Sequence, residues 1–209
     1  MLVISVVGII ILIVGAIFFF IDYAKGNKKK VSYIIMAVGV IVAAGGYWAQ
    51  TYQVKQAQIR QAQLKKQKEK TFADNYGNIK YYAYTTGVKA EKIGNKFVDV
   101  WHDAIWEDSG VTIDGKSYTD FNKALQAQYD VYSSDGTIDK MDTALKHLES
   151  TYAKCRENVT AKNQAKLTKA KQTVKDAKHF VKLIESPSGN YATFSSNVSD
   201  ADSTLSTDL

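Results

Sequence analysis

The chain has 209 residues, with 27 Lys and Arg against 21 Asp and Glu for a formal net charge of +6, and a single cysteine. One cysteine excludes an internal disulfide and with it a disulfide-stapled secreted module. The charge is unevenly divided: residues 1–70 carry +8 and residues 71–209 carry −2. The basicity therefore belongs beside a membrane rather than to a nucleic-acid footprint, and no nucleic-acid partner is expected.

Residues 2–21 and 31–49 are uncharged runs of 20 and 19 residues. A helix needs about 20 apolar residues to cross the roughly 30 Å hydrocarbon core. Residues 22–30 between them hold Lys25, Lys28, Lys29 and Lys30. Two apolar runs joined by a short polar turn predict a transmembrane helical hairpin, because backbone in lipid must satisfy its own hydrogen bonds. The small residues fall in rows at helical spacing: Ser5, Gly8, Leu12 and Gly15 on one helix, and Ser32, Met36, Gly39, Ala43 and Gly46 on the other. Such rows allow the close backbone approach on which helix association in lipid depends. Tyr23 and Tyr33 flank the turn and Tyr47 and Trp48 close the far end, as interfacial aromatic rings do. With Lys28, Lys29 and Lys30 they are the candidate interface anchors. Four lysines in the turn predict a cytoplasmic turn, hence a two-pass protein of the cell membrane whose C-terminal domain is extracytoplasmic.

Residues 50–71 are rich in Gln and Lys, without Gly or Pro, and predict a basic helical stalk, with a disordered basic linker as the alternative. A helical bundle over 72–209 follows. Ile79, Ala83, Thr86, Ala90, Ile93, Phe97, Val100 and Ala104 step by four and three, which predicts an amphipathic helix ending near Glu107. Gly87 and Gly94 inside it mark either a close approach or a bend. Val111–Ile113 with Asp114 and Gly115 reads as a turn resembling a short hairpin loop. Thr119 or Ser117 then caps a helix bearing Phe121, Leu125, Gln128, Tyr129 and Tyr132. Ile138, Met141, Leu145, Leu148, Tyr152, Cys155 and Val159 form the next row, and Leu167, Ala170, Val174, Ala177, Val181 and Ile184 the one after it. Pro187 stops that helix. Tyr191, Phe194, Val198, Ala201 and Leu205 give a last, weaker one. No period-two stretch is long enough for a strand, so the fold class is all-α: a transmembrane hairpin, a basic stalk and an antiparallel helical bundle.

No catalytic constellation stands out. Asp99, His102, Asp103 and Glu107 are the one cluster an enzyme reading would use, yet no His-Glu-x-x-His or paired-cysteine pattern accompanies them. No catalytic residue, metal or cofactor is expected. Residues 160–184 carry +6 and residues 99–142 carry −7. Complementary faces of neighbouring helices account for that split. A partner surface would use Lys171, Lys175 and Lys178, with Trp106 as an aromatic anchor. The partners expected are the lipid bilayer and a membrane or surface protein or an anionic wall polymer. The function expected is non-catalytic binding or interference at the cell surface. The alternatives are a membrane-bound enzyme and a cytoplasm-facing membrane scaffold.

Trp101-His102-Asp103-Ala104-Ile105, the helices after it, and Ser186-Pro187-Ser188-Gly189-Asn190-Tyr191-Ala192-Thr193-Phe194 resemble the helical extracytoplasmic domains of small membrane proteins and lipoproteins from Gram-positive bacteria and their temperate phages. The resemblance covers residues 72–209 and implies a role such as prophage superinfection exclusion, in which entry of a second phage's DNA is blocked. It carries no functional residue onto this chain. Cys155 departs from the lipoproteins, being no lipid-attachment cysteine.

Overall fold

A computed structural model describes residues 2–25 and 30–209, with side chains described for 6–21, 23–25, 33–49 and 51–209. Among the described residues the protein is all-α apart from one small ribbon. Helix α1 is Leu2–Ala24 and α2 is Lys30–Trp106. Strands β1 (Val111–Ile113) and β2 (Lys116–Tyr118) follow, then α3 (Phe121–Ser134), α4 (Thr137–Glu157), a 3-10 turn, α5 (Gln164–Glu185) and α6 (Tyr191–Asp208). The chain divides into two compact units, residues 1–65 and 66–209. Helix α2 belongs to both. The three segments read from sequence as membrane helix, stalk and first bundle helix are thus one unbroken 77-residue helix. No Pro interrupts it, and every residue between 50 and 71 is compatible with continued helix.

In the first unit, α1 lies against the start of α2 along a seam of small residues. A Cβ added to Gly8 would stand 2.5 Å from the Ala43 backbone nitrogen. One added to Gly39 would stand 2.9 Å from the Leu12 nitrogen, and one on Gly15 2.9 Å from Met36 Cγ. The contacts 8–43, 12–39 and 15–36 ascend one helix while descending the other, so the two run in opposite directions. Around this seam the large residues face outward. Ile9, Ile10, Ile13, Ile17 and Phe20 on α1, and Ile34, Val38 and Ile41 on α2, are 45% to 70% exposed. Among the described residues, α2 holds a stretch long and apolar enough to cross a membrane, and α1 contributes the shorter apolar run Val6–Ile21.

The second unit is a helical bundle with a conventional core. On α2 the entire row from Ile79 to Ala104 is buried, with Phe72 and Trp101 beside it. Gly87 and Gly94 mark close approach: a Cβ on Gly94 would stand 2.7 Å from Ile184 Cδ1, and one on Gly87 would stand 3.0 Å from Leu205 Cδ2. They lie beneath α5 and α6. Helices α3 and α4, α4 and α5, and α5 and α6 are neighbours in contact. Burial of Leu167, Ala170, Val174, Ala177, Phe180, Val181 and Ile184 makes α5 the most enclosed of these later helices.

Two local expectations are corrected. Residues 111–118 form a true antiparallel ribbon, Val111 opposite Tyr118 and Ile113 opposite Lys116. Its two-residue turn takes Asp114 and Gly115 to φ 47° and 74°, the left-handed pair that matches the twist of flanking strands. Three-residue strands are too short to show alternation. The cap of α3 is Asp120 rather than Thr119 or Ser117: its Oδ1 accepts from Asn122 N at 3.0 Å and Lys123 N at 3.2 Å. Ser117 is taken up by β2 and donates to the Ser109 carbonyl at 2.5 Å.

Candidate functional site

The candidate surfaces lie in different parts of the molecule. Lys171, Lys175 and Lys178 repeat by four and three along α5 and so share one face. With Arg156 and Lys182 they rim a groove between α4 and α5, floored by Leu145, Tyr152, Val174 and Val181 and enclosing about 850 Å³. Lys178 Nζ reaches Glu149 Oε1 at 2.6 Å. No ion pair engages Lys171, Lys175 or Lys182 among the described residues. The groove offers unneutralised ammonium groups above an apolar strip, an arrangement suited to an anionic chain with apolar segments.

Trp106 is not part of that groove. It is 56% exposed at the end of α2 and lines a separate depression of about 450 Å³ with Trp101, Ile105, Phe121 and Tyr191. Trp101 stacks on Phe121 at 5.4 Å and 10°, while Trp106 meets Tyr191 edge-on at 4.9 Å. The sequence brought out Trp106 alone. Phe121 and Tyr191 open helices far along the chain, and no periodicity links them to it.

His102 and Asp103 are joined by a 3.1 Å contact from Nδ1 to Oδ1, with side chains 47% and 44% exposed. Among the described residues no three His, Cys, Asp or Glu side chains converge as metal ligands. Cys155 is buried, and that burial pushes its thiol up to about 11. Thiolate chemistry at neutral pH is thereby suppressed. Two carboxylate pairs were invisible in sequence because each joins different helices. Burial, then neighbouring Asp142, holds Glu185 above the usual carboxylate range. Burial, then Asp176, does the same to Asp208, with Lys169 opposing.

Of the interface anchors, Tyr23, Tyr33, Tyr47 and Trp48 are all exposed, Trp48 to 80%. The Tyr33 ring lies edge-on to Phe19 at 5.5 Å. Lys28 and Lys29 lie outside the described residues, as does the side chain of Lys30. Of the seam residues, Gly8, Gly15, Gly39 and Gly46 are buried and Ala43 is half-buried. No known protein family, curated protein or solved structure matches the chain.

Proposed function

We propose that this chain is a membrane-anchored, non-catalytic binding protein whose first unit is a two-pass transmembrane hairpin and whose antiparallel bundle meets an anionic partner outside the cell. One observation carries the anchoring: a glycine seam coated by exposed Ile, Val and Phe. In water each such half-exposed side chain would forgo about half of the roughly 1.5–3 kcal/mol that full burial yields, whereas lipid solvates the coat and leaves close packing to hold the seam. The orientation rests on the four lysines of residues 22–30. Binding rather than catalysis is supported by the lysine-rimmed groove and by the open, half-exposed setting of His102 and Asp103. A catalytic group ordinarily needs an enclosing environment that perturbs it. The partner in this reading is an anionic wall polymer or an acidic face of a membrane or surface protein. In its most specific form the activity is superinfection exclusion, on the resemblance of residues 72–209.

The test has two parts. A Ser188→Cys, Cys155→Ala variant is labelled with an impermeant thiol reagent in intact cells; labelling only after lysis overturns the outside assignment. The chain is then expressed in a phage-sensitive Gram-positive host, where adsorption stays normal while phage DNA entry falls. Unchanged entry across a panel of phages removes the exclusion reading and leaves the anchor.

A further inference from the structure

The depression at the end of α2 differs from the lysine groove in both shape and charge. Two ring pairs bound it, Trp101 stacked on Phe121 and Trp106 edge-on to Tyr191. Ile105, Ala192, Gly189 and Asn190 complete the lining, and neither Lys nor Arg contributes. The two pairs play different parts. Trp101 is 2% exposed, locked between Phe121 and Phe194 as a fixed base. Trp106 is 56% exposed, with His102 at 4.9 Å and Tyr191 at 4.9 Å fixing its ring. Residues 99–121, the stretch that supplies Trp101, Ile105, Trp106 and Phe121, hold six carboxylates and one lysine. Glu107 follows Trp106 directly, and Asp120 directly precedes Phe121.

Aromatic faces carry negative potential, and tryptophan attracts a cation most strongly. The excess of carboxylates over residues 99–121 adds a longer-range attraction for a cation and disfavours anions. Metal ions and primary ammonium groups demand oxygen ligands or hydrogen-bond acceptors, which this lining does not converge. A quaternary ammonium group donates no hydrogen bond, carries its charge on methyl groups, and is satisfied by ring faces. We propose that the depression lined by Trp101, Trp106, Phe121 and Tyr191 is a binding site for a quaternary ammonium group of the choline type. It is independent of the lysine groove: one surface takes a cation and the other an anion.

The full chain, solubilised in a maltoside detergent, is titrated with choline and with its uncharged isostere 3,3-dimethylbutan-1-ol at constant ionic strength. Tryptophan fluorescence is followed in a Trp48→Phe background, and binding is checked independently by equilibrium dialysis of labelled choline. Saturable choline binding is expected, with the isostere about tenfold weaker or worse. Trp106→Ala should weaken choline binding by about tenfold and Trp106→Phe by less, since phenylalanine keeps a weaker ring face. Trp106 is exposed, so both variants should retain the far-ultraviolet dichroism of the parent. Three results overturn the proposal: no saturation by about 100 mM choline, equal binding of choline and its isostere, or undiminished binding by Trp106→Ala. Equal binding would make the depression an apolar pocket indifferent to charge.

Discussion

Residues 1–65 and 66–209 use the same helical spacing for opposite purposes. In the first unit glycine and alanine lie inside and isoleucine and phenylalanine outside; in the second, Phe97, Met141, Phe180 and Ile184 lie inside and lysines outside. Helix α2 carries both patterns in turn, Met36, Gly39, Ala43 and Gly46 early and Ile79 to Ala104 late. Spacing by three and four therefore marks which face meets another helix, and under the proposed membrane anchoring the residue size on that face follows the solvent. Where water is excluded, large apolar groups gain nothing by turning inward, and backbone proximity decides the contact. Where water is present, burial of large groups decides it.

The comparison breaks most visibly if size is exchanged in the second unit. Phe97→Ala and Phe180→Ala each remove a fully buried ring and should cost about 3–5 kcal/mol, read as a fall in unfolding temperature of the detergent-solubilised chain. Ile13→Ala, on the outward face of α1, should cost under about 0.5 kcal/mol. Equal losses at Phe97 and Ile13 would mean that both units are organised by the same solvent.

The reverse exchange tests the first unit. Gly39→Leu pushes a side chain into Leu12, whose backbone nitrogen is 2.9 Å from the first added carbon. Overpacking of this kind costs about 1–3 kcal/mol. Amide exchange across residues 6–21 and 33–46 should accelerate in micelles, while exchange in the second unit stays unchanged. Gly45→Leu is the control, since a Cβ there meets nothing within 4 Å. If Gly45→Leu loosened the pair as much as Gly39→Leu, the seam would not be the contact.

A smaller effect sharpens the account of the second unit's polar groups. Glu185 and Asp208 have folded-state pKa values raised above their ordinary 4.5 and 3.8. The folded state therefore binds these protons more tightly than the unfolded chain does. Their contribution is most favourable below those ordinary values and is lost as pH rises through the raised ones. Both groups are partly solvated, so each amounts to no more than about 1 kcal/mol. Asp208→Asn should flatten the stability profile in the mildly acidic range and raise stability at pH 7. An unchanged profile would show that burial and Asp176 do not raise the Asp208 carboxyl in the folded chain.

The rows that build the bundle were legible because burial repeats where the helix returns to the same face. Every residue from Ile79 to Ala104 in that row is buried, as are Leu167, Ala170, Val174, Ala177, Val181 and Ile184. A single row nevertheless understates a helix enclosed on a broad front. Phe180 and Thr173 on α5 are buried beside it, and on α4 Ala144 and Thr151 are buried while Leu145 and Tyr152 are only partly so. What was not legible depends on tertiary proximity. Asp120 outcompetes Thr119 for the cap only once β2 has fixed where α3 begins. Asp176 meets Asp208, and Trp106 meets Tyr191, because α5 and α6 return past earlier residues, which no local spacing records.

The smallest predicted change in stability belongs to the lysine face. Lys171→Ala and Lys175→Ala remove exposed charges with no ion-pair partner among the described residues, and Lys178→Ala removes one exposed pair with Glu149. Exposed pairs contribute about 0–1 kcal/mol, so unfolding temperature should barely move. Binding is a different matter if the groove receives a polyanion. Each ammonium group lost then removes a favourable charge contact, and the attraction it supplied should weaken with salt over a Debye length of about 8–10 Å. The triple variant should therefore keep its fold and lose salt-sensitive binding to a soluble polyphosphate used as an anionic probe. Leu145→Ser, which alters the apolar floor and leaves every lysine, should keep both the affinity for this wholly polar probe and its salt dependence. If the triple variant bound the probe as well as the parent, the charge split between 99–142 and 160–184 would be only a matter of internal complementarity.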